Sequence, residues 1–520
     1  MKIKRALISV SNKRGLRKLV EVLDKLGVEI LSTGGTAIEI ASYGITVREV
    51  SSYTGFPEML DGRVKTLHPK IHAGFLAVRN NKDHMKCLEE NAISPIDMLI
   101  VNLYPFEKTI SKPGVSFEEA IENIDIGGPA MMRSAAKNFK SVAVVSSVDQ
   151  YGMIIEELEK NSGNINDKLS ENLAKEVFEK TAYYDGIISD YLSENCLWRE
   201  NVDFPDIMKM KMRKVKDLRY GENPHQKAAF YKDLSSETLG IADAEQMQGK
   251  ELSFNNILDL SAAYEIVKAF GQPAVSIVKH NNPCGIASAD SLKEAFIDAV
   301  DCDRLSAFGG IMAFNRSIDA EMAEMILRES DFVECIIASE YDDKAKEIFS
   351  TKKNLRVLKL PVTGSISKND KDFKKVPGGL LIQDYDMKTL ERADMSVVTE
   401  THPSEEVWNT LMFGWKVVKY VKSNAIVLCQ GTKTVGIGAG QMSRVDSVII
   451  AMRKAGAKTK GAVLASDAFF PKTDSIEVAR KAGISAIVQP GGSIRDNEVI
   501  AACNQFKLPM VFTGIRHFRH

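Results

Sequence analysis

ALISVSNKRGLRKLVEVLDKLGVEILSTGGT, residues 6–36, decides the fold class of the amino-terminal half. Ala6 to Val10 is a short apolar run of β type. Leu16, Leu19, Val20 and Leu23 fall on one helical stripe, and Val28 to Leu31 is a second β-type run. Strand, helix and strand in that order make a βαβ unit, whose crossover leaves the two strands parallel. The rhythm continues through Met98 to Leu103 and Val142 to Val145 with helix-period sequence between them. Apolar runs without alternation suit strands covered on both faces, so an α/β, doubly wound domain is expected.

Helix-like sequence runs from Tyr151 to Trp198, followed by a polar, basic stretch, Asn201 to Asp217, interrupted by Pro205. The main boundary is set there, giving domains 1–200 and 201–520. A second α/β rhythm follows: a stripe of Leu260, Ala263, Tyr264 and Val267, a strand at Ala274 to Val278, and a stripe of Val407, Leu411, Trp415 and Val418. The polar segment Thr363 to Gly379 is expected to divide this half into two lobes. No fixed-period repeat is visible.

The composition bounds the function. At 520 residues the chain exceeds what one core serves, and 44% hydrophobic with 26% charged residues is globular usage. Sixty-eight basic against 69 acidic residues leave a net charge of -1, without the basic excess of a generic nucleic-acid binder. No apolar run nears the roughly 18 to 20 residues that span a bilayer, and Met1 to Val10 lacks a signal-peptide core. A cytoplasmic protein with no nucleic-acid or membrane partner is expected. Cys87, Cys196, Cys284, Cys302, Cys335, Cys429 and Cys503 are scattered without a C-x-x-C pair, which reads as reduced thiols and disfavours structural zinc.

In the first half, Ser32-Thr33-Gly34-Gly35-Thr36 follows a strand and opens a helix, so its N–H groups and hydroxyls suit an anion; a sterically required glycine turn is the alternative. Ser9 to Lys13 ends the preceding strand and supplies a second edge, since ligands of open α/β sheets bind beyond the carboxyl ends of strands. GRVKTLHP (62–69) concentrates two cations and a hydroxyl, as a site or a solvated loop. NLYPF (102–106) ends a strand, and DIGG (125–128) precedes a helix reaching Lys137-Asn138. Core packing for Tyr104 and a helix cap for Asp125 stand beside their catalytic readings.

In the second half, Arg219-Tyr220-Gly221-Glu222-Asn223-Pro224-His225-Gln226 reads as a substrate loop or a polar turn. Ser276 to Gly285 ends an apolar strand on adjacent Lys279 and His280. A histidine beside a cation is shifted toward its neutral form and so suits a base, although a structural histidine remains open.

In order and spacing, the first-half motifs resemble the cyclohydrolase domain of the bifunctional AICAR transformylase/IMP cyclohydrolase family, with its methylglyoxal-synthase-like fold. The second-half blocks, with Ser306 to Gly310, Lys422 to Ala425, Gly438 to Gln441, Ser466 to Pro471 and Arg516 to His520, resemble its transformylase. The resemblance implies a carboxyl-terminal α/β region of two cytidine-deaminase-like lobes and a homodimer with shared clefts. It implies formyl transfer from 10-formyltetrahydrofolate to AICAR giving FAICAR, then closure of FAICAR to IMP with loss of water. Nucleotide binding falls to Ser11, Lys13, Ser32, Thr33, Gly34, Gly35, Thr36, Arg63 and Thr66. Lys65 and Asn102 polarise or hold the formyl oxygen, with Tyr104, Asp125 and Lys137 linked for proton transfer. At the transformylase centre it implies Arg219, Tyr220, His225, Lys279, His280, Phe308, Gly309, Glu334, Asn424 and Arg516, with Glu334 standing where some relatives carry Asp. Lys279 tunes His280 or stabilises an oxyanion, and Asn424 holds the formyl oxygen or the leaving folate nitrogen. Phe469 and Asp474 are the implied folate contacts.

Two other classes compete. A zinc deaminase uses the same lobe fold but requires H-x-E and P-C-x-x-C, whereas His280-Asn281-Asn282 lacks the Glu and Pro283-Cys284-Gly285-Ile286-Ala287 the second Cys. No catalytic metal is therefore expected. A noncatalytic nucleotide-binding regulator keeps the phosphate loops but leaves the Lys279-His280 strand end unexplained.

Overall fold

The computed structural model describes residues 1–195, 203–363 and 366–520, in two compact units, Met1–Lys209 and Met210–His520. The end of the helix expected to reach Trp198, Cys196 and the boundary at 200/201 lie outside the described residues.

The first unit contains β1 (Arg5–Val10), β2 (Glu29–Ser32), β3 (Arg48–Glu49), β4 (Met98–Asn102) and β5 (Ala143–Val145) in one parallel sheet of order β3-β2-β1-β4-β5. Except at the short, exposed edge strand β3, alternate residues of the strands enter different cores. Ala6, Ile8, Ile30, Met98 and Ile100 meet the helices Leu16–Lys25 and Tyr151–Lys160; Leu7, Leu31, Leu99 and Val101 meet Pro69–Leu76, Gly127–Lys137 and Asp167–Asn195. Both faces are thus apolar, which is why the strands lack alternation. The chain leaves β1 for β2 on one side and returns to β4 on the other, so a switch point opens beyond the carboxyl ends of β1 and β4.

The second unit carries a hairpin of β6 (Met212–Leu218) and β7 (Ala228–Asp233), so the later part of the polar, basic stretch at the expected boundary is strand. Its main sheet has twelve strands. The first half uses β8 (Glu245–Gln248), β9 (Ala274–Lys279), β10 (Asn282–Ser288), β11 (Gly310–Phe314), β12 (Val333–Ala338) and β13 (Arg356–Lys359). A separate hairpin, β14 (Lys371–Val376) with β15 (Gly379–Asp384), occupies most of the segment read as a polar divider. The second half uses β16 (Ser396–Val397), β17 (Ile426–Gln430), β18 (Lys433–Gly438), β19 (Val463–Ser466), β20 (Ala486–Gln489) and β21 (Met510–Phe512).

The order β16-β21-β20-β19-β17-β18-β10-β9-β11-β12-β13-β8 contains a repeat that the sequence did not reveal. In each half a helix (Phe254–Lys268 or Glu405–Val418) leads to an antiparallel hairpin, then to three parallel strands separated by helices. The two hairpins meet edge to edge at Ala287 and Lys433. Leu260, Ala263 and Val267 share one core with Leu411, Trp415 and Val418, so a single apolar layer underlies both halves. The six cysteines among the described residues are free, and all but Cys87 are buried.

In both halves a glycine brings the second hairpin strand against the next helix. A Cβ at Gly285 would stand 1.9 Å from the Ala299 carbonyl oxygen, and one at Gly438 2.0 Å from that of Ser447. Backbone cannot yield as a flexible side chain does, so Gly285→Ala and Gly438→Ala should each cost about 3 kcal/mol or more of stability, read by urea denaturation. Gly271→Ala, which meets nothing within 4 Å, is the control and should change little.

Candidate functional site

In the first unit the switch point gathers the ends of β1, β2 and β4. Asn102, the last residue of β4, accepts on Oδ1 from Ser11 N (2.7 Å), Ser11 Oγ (2.7 Å) and Asn12 N (2.9 Å), while its Nδ2 donates to Asn12 O (3.1 Å). Its amide therefore fixes the loop after β1 instead of standing free to hold a formyl oxygen. Ser32 and Thr36 also differ from their expected roles. Both are buried, with Ser32 Oγ donating to Ile8 O (2.7 Å) and Thr36 Oγ1 to Val10 O (3.1 Å), so their hydroxyls tie β1 to the end of β2 and to the helix that follows it. Thr33 is the one turned toward the loop, its Oγ1 3.1 Å from Ser9 Oγ.

Helix Gly34–Ser42 opens on Gly34 with φ 41° and no side-chain cap. Its first N–H groups have no intrahelical acceptor. Two ammonium groups stand above them: Lys65 Nζ is 3.7 Å from the Cβ position of Gly34, and Lys13 Nζ 3.8 Å from that of Gly35. Unpaired N–H groups beside cations suit a phosphate. Each cation holds a carboxylate here: Lys13 with Glu39 (3.5 Å), Lys65 with Glu58 (2.7 Å) and Arg63 with Glu122. An entering anion has to displace or share those partners.

A second helix, Gly127–Lys137, also opens on a Gly-Gly pair. Asp125 caps the helix Gly127–Lys137 by accepting Gly128 N (2.7 Å), receives Tyr104 N (3.4 Å), and donates its own N–H to Tyr184 Oη (2.8 Å). Thr66 Oγ1 lies against the same helix start, 2.9 Å from the Cβ position of Gly127. Burial pushes the Asp125 carboxyl up, more than the two N–H donors pull it down. Tyr104 is half-exposed beside it. Lys137 is not brought to this pair: it sits in the last turn of that helix, roughly 15 Å along the axis at 1.5 Å per residue. Asp125 and Lys137 thus sit at opposite ends of one helix.

In the second unit, Lys279 ends β9 and donates from Nζ to Phe308 O (2.7 Å). His280 and Asn281 form the β9–β10 turn, and their N–H groups both go to Asp259, which sequence reasoning missed because an acidic residue on a helix reads as solvated. The Phe308 and Phe332 rings lie 5.6 Å apart, and Gly309 N donates to Phe332 O (2.8 Å). Glu334 is paired with Arg356 at 2.7 Å, so its carboxylate is already engaged. The loop Arg219 to Gln226 joins β6 to β7, with Arg219 over the Tyr220 ring at 5.6 Å. Its Glu222 carbonyl accepts from Asn255 near the start of the helix bearing Asp259 (3.5 Å). His225 is exposed on that loop.

Asn282 Oδ1 accepts Lys422 N (3.1 Å), which joins the His280 turn to the loop of Asn424. Asn424 is fully engaged: its Oδ1 accepts Arg444 Nη2 (2.7 Å) and its Nδ2 donates to Gln441 O (2.8 Å) and Met442 O (3.2 Å). The amide thus shapes the loop instead of presenting a free hydrogen-bonding edge. Ser423, Asn424, Gly440, Gln441, Met442, Phe518 and His520 surround a cavity of about 260 Å³, with Arg516 stacked on Phe518 at 4.5 Å. Arg444 and Asp467, a buried ion pair, were also missed as site-builders. Phe469 is partly exposed two residues beyond Asp467, and Asp474 opens the helix Asp474–Lys481.

Two family models cover this architecture: an MGS-like domain over residues 15–130, and the AICARFT/IMPCHase bienzyme over residues 135–454. The chain belongs to the AICARFT/IMPCHase bienzyme family. Membership makes it an AICAR formyltransferase and IMP cyclohydrolase whose transfer reaction uses a folate cosubstrate. Its relatives include proteins named "Bifunctional purine biosynthesis protein PurH" from Acetivibrio thermocellus, 51% identical, and Magnetococcus marinus, 52% identical, each matched over the whole of both chains. The one from Neisseria gonorrhoeae is 52% identical over all of this chain and 99% of its own.

The raised Asp125 carboxyl predicts a pH dependence. As pH rises, the unfolded chain releases this proton first, so its contribution to stability is present at low pH and is lost as pH passes through the raised folded value. Asp125→Asn keeps an acceptor for Gly128 N but cannot ionise. Relative to the parent it should gain stability in urea denaturation as pH rises above the ordinary carboxylate range, while FAICAR closure falls.

Proposed function

We propose that the two activities of this purine-biosynthesis enzyme are divided between its units: FAICAR closure in Met1–Lys209 and formyl transfer in Met210–His520. The observation that carries the reading is the Lys279-His280 strand end, tied through Asn282 to the Asn424 loop and its cavity. The donor is 10-formyltetrahydrofolate, the acceptor AICAR, and the working form a cytoplasmic homodimer.

The carboxamide of AICAR withdraws density from its neighbouring amine, which needs deprotonation as it attacks. His280 takes that proton while the amine nitrogen bonds to the formyl carbon. The bond from carbon to the folate nitrogen breaks, and that nitrogen leaves with a proton as tetrahydrofolate. Lys279, already donating to a carbonyl, is arranged to face an oxyanion. Arg219, Tyr220, His225, Phe308, Gly309, Glu334 and Arg516 bind AICAR, and Phe469 with Asp474 bind folate. Asn424 works by holding its loop.

Closure needs no second substrate, because both reacting groups belong to FAICAR and holding their near-attack geometry supplies much of the rate. The nucleotide phosphate lies at Thr33 to Gly35 with Lys13 and Arg63, beside Ser11 and Thr66. Lys65 polarises the formyl oxygen, Asp125 and Tyr104 exchange protons, and water leaves. Ser32, Thr36 and Asn102 build the pocket, and Lys137 acts away from Asp125.

Two outcomes test this division. A chain truncated after Lys209 should close supplied FAICAR without folate; a folded truncation that is inactive beside an active full chain refutes it. His280→Ala should slow AICAR formylation by about a hundredfold to ten-thousandfold, the range for losing a general base, and leave closure intact. Near-normal formylation removes His280 as the base.

A further inference from the structure

The turn that carries His280 runs against the usual preference for its geometry. β9 ends at Lys279 and β10 begins at Asn282, leaving two central residues, both left-handed, with φ 55° at His280 and 59° at Asn281. Two-residue hairpins favour that conformation because its twist matches the strands, and sequences normally supply Asn-Gly, Asp-Gly or Gly-Gly. A histidine in the first place, like any residue with a Cβ, meets a steric cost there that glycine avoids. The equivalent turn of the second half, between β17 and β18, follows the ordinary rule with Gly431 first, at φ 56°.

What holds the His280 turn is a carboxylate from another element. Asp259, on the helix Phe254–Lys268, accepts His280 N on Oδ2 at 3.0 Å and Asn281 N on Oδ1 at 2.6 Å. Two successive N–H groups converge on one anion, and bonds to an ionised acceptor are stronger than neutral ones. An extended His280 would swing its N–H away and forfeit this. The turn of the second half receives no side-chain acceptor among the described residues. The clamp thus occurs at the turn that bears the proposed base.

We infer that Asp259 is a positioning residue for formyl transfer: its carboxylate selects the left-handed turn that presents the His280 imidazole beside the Asn424 loop. This rests on the reading of His280 as the base. The experiment uses the full chain. Asp259→Asn keeps the shape but gives one acceptor oxygen, and its NH2 opposes the second N–H. The expected result is a fall of roughly a hundredfold in kcat for AICAR formylation, as for a misplacement of about 1 Å, with a much smaller change in the KM for AICAR. FAICAR closure should be unchanged. Adding Asn281→Gly should recover much of the lost kcat, because glycine accepts positive φ without steric cost. A purely structural role predicts no such recovery.

An Asp259→Asn chain within about twofold of the parent kcat overturns the inference, since misplacement of a base is expected to cost far more. So does a loss that Asn281→Gly leaves untouched while closure is intact, or a failure to fold that the glycine does not repair. His280→Ala keeps the two readings apart. If it is nearly fully active, the base assignment falls; if it is inactive while Asp259→Asn is fully active, only the clamp falls.

Discussion

Asp467 has no exposed surface, yet it carries a charge on which much of the second unit hangs. Burying a lone carboxylate is prohibitively costly, and a paired one is tolerated only when its other lone pairs are also satisfied. Here Arg444 supplies the opposite charge, Ala425 N donates at 3.1 Å, and Ser423 Oγ donates as well. The Asp467 carbonyl accepts His517 N at 3.0 Å. One residue at the end of β19 therefore joins the Asn424 loop, the helix Arg444–Ala455 and the carboxyl-terminal tail. Removing either partner would leave the other charge buried and unpaired, so the network is far more sensitive than its surface counterparts such as Arg14 with Asp149.

The same economy of parts recurs in the two asparagines. Asn102 was read as polarising or holding the formyl oxygen and Asn424 as holding that oxygen or the leaving folate nitrogen, and in both the amide bonds to protein groups at its donor and acceptor ends. An amide with fixed donor and acceptor ends defines a loop in one orientation only. The nearby lysines are engaged as well, Lys13 and Lys65 with carboxylates and Lys279 with the Phe308 carbonyl, but a flexible ammonium can exchange partners where a clamped amide cannot. Asp125 combines the two roles: its carboxylate caps a helix while burial keeps its proton affinity high.

The layers of the first unit were legible because buried parallel strands have a plain apolar signature, and Leu16, Leu19, Val20 and Leu23 did enter the core their spacing implied. The Tyr264 stripe was legible for the same reason. The internal repeat was not, since packing constrains the order of the elements and not their residues: Lys279-His280-Asn281-Asn282 and Gln430-Gly431-Thr432-Lys433 both close two-residue hairpins without sharing a side chain in register. Motifs named candidate residues, but not which of their atoms already bond within the protein. Ser32 and Thr36 look like ligands for an anion until the carbonyls of Ile8 and Val10 are seen to accept from them. Lys137 ends the 11-residue helix whose start Asp125 caps, a separation that motif order along the chain does not show.

The seam between the halves has a consequence for biosynthesis. Ala287 of β10 meets Lys433 of β18, so a sheet edge made early in translation waits for a strand that emerges much later. Open edges invite pairing with other chains, and natural proteins blunt them with proline and bulges. β10 has both: Pro283 has no N–H to give, and the register against β9 shifts between Pro283 and Gly285. The nascent first half thus carries its own protection against premature association, built into the strand that follows the His280 turn.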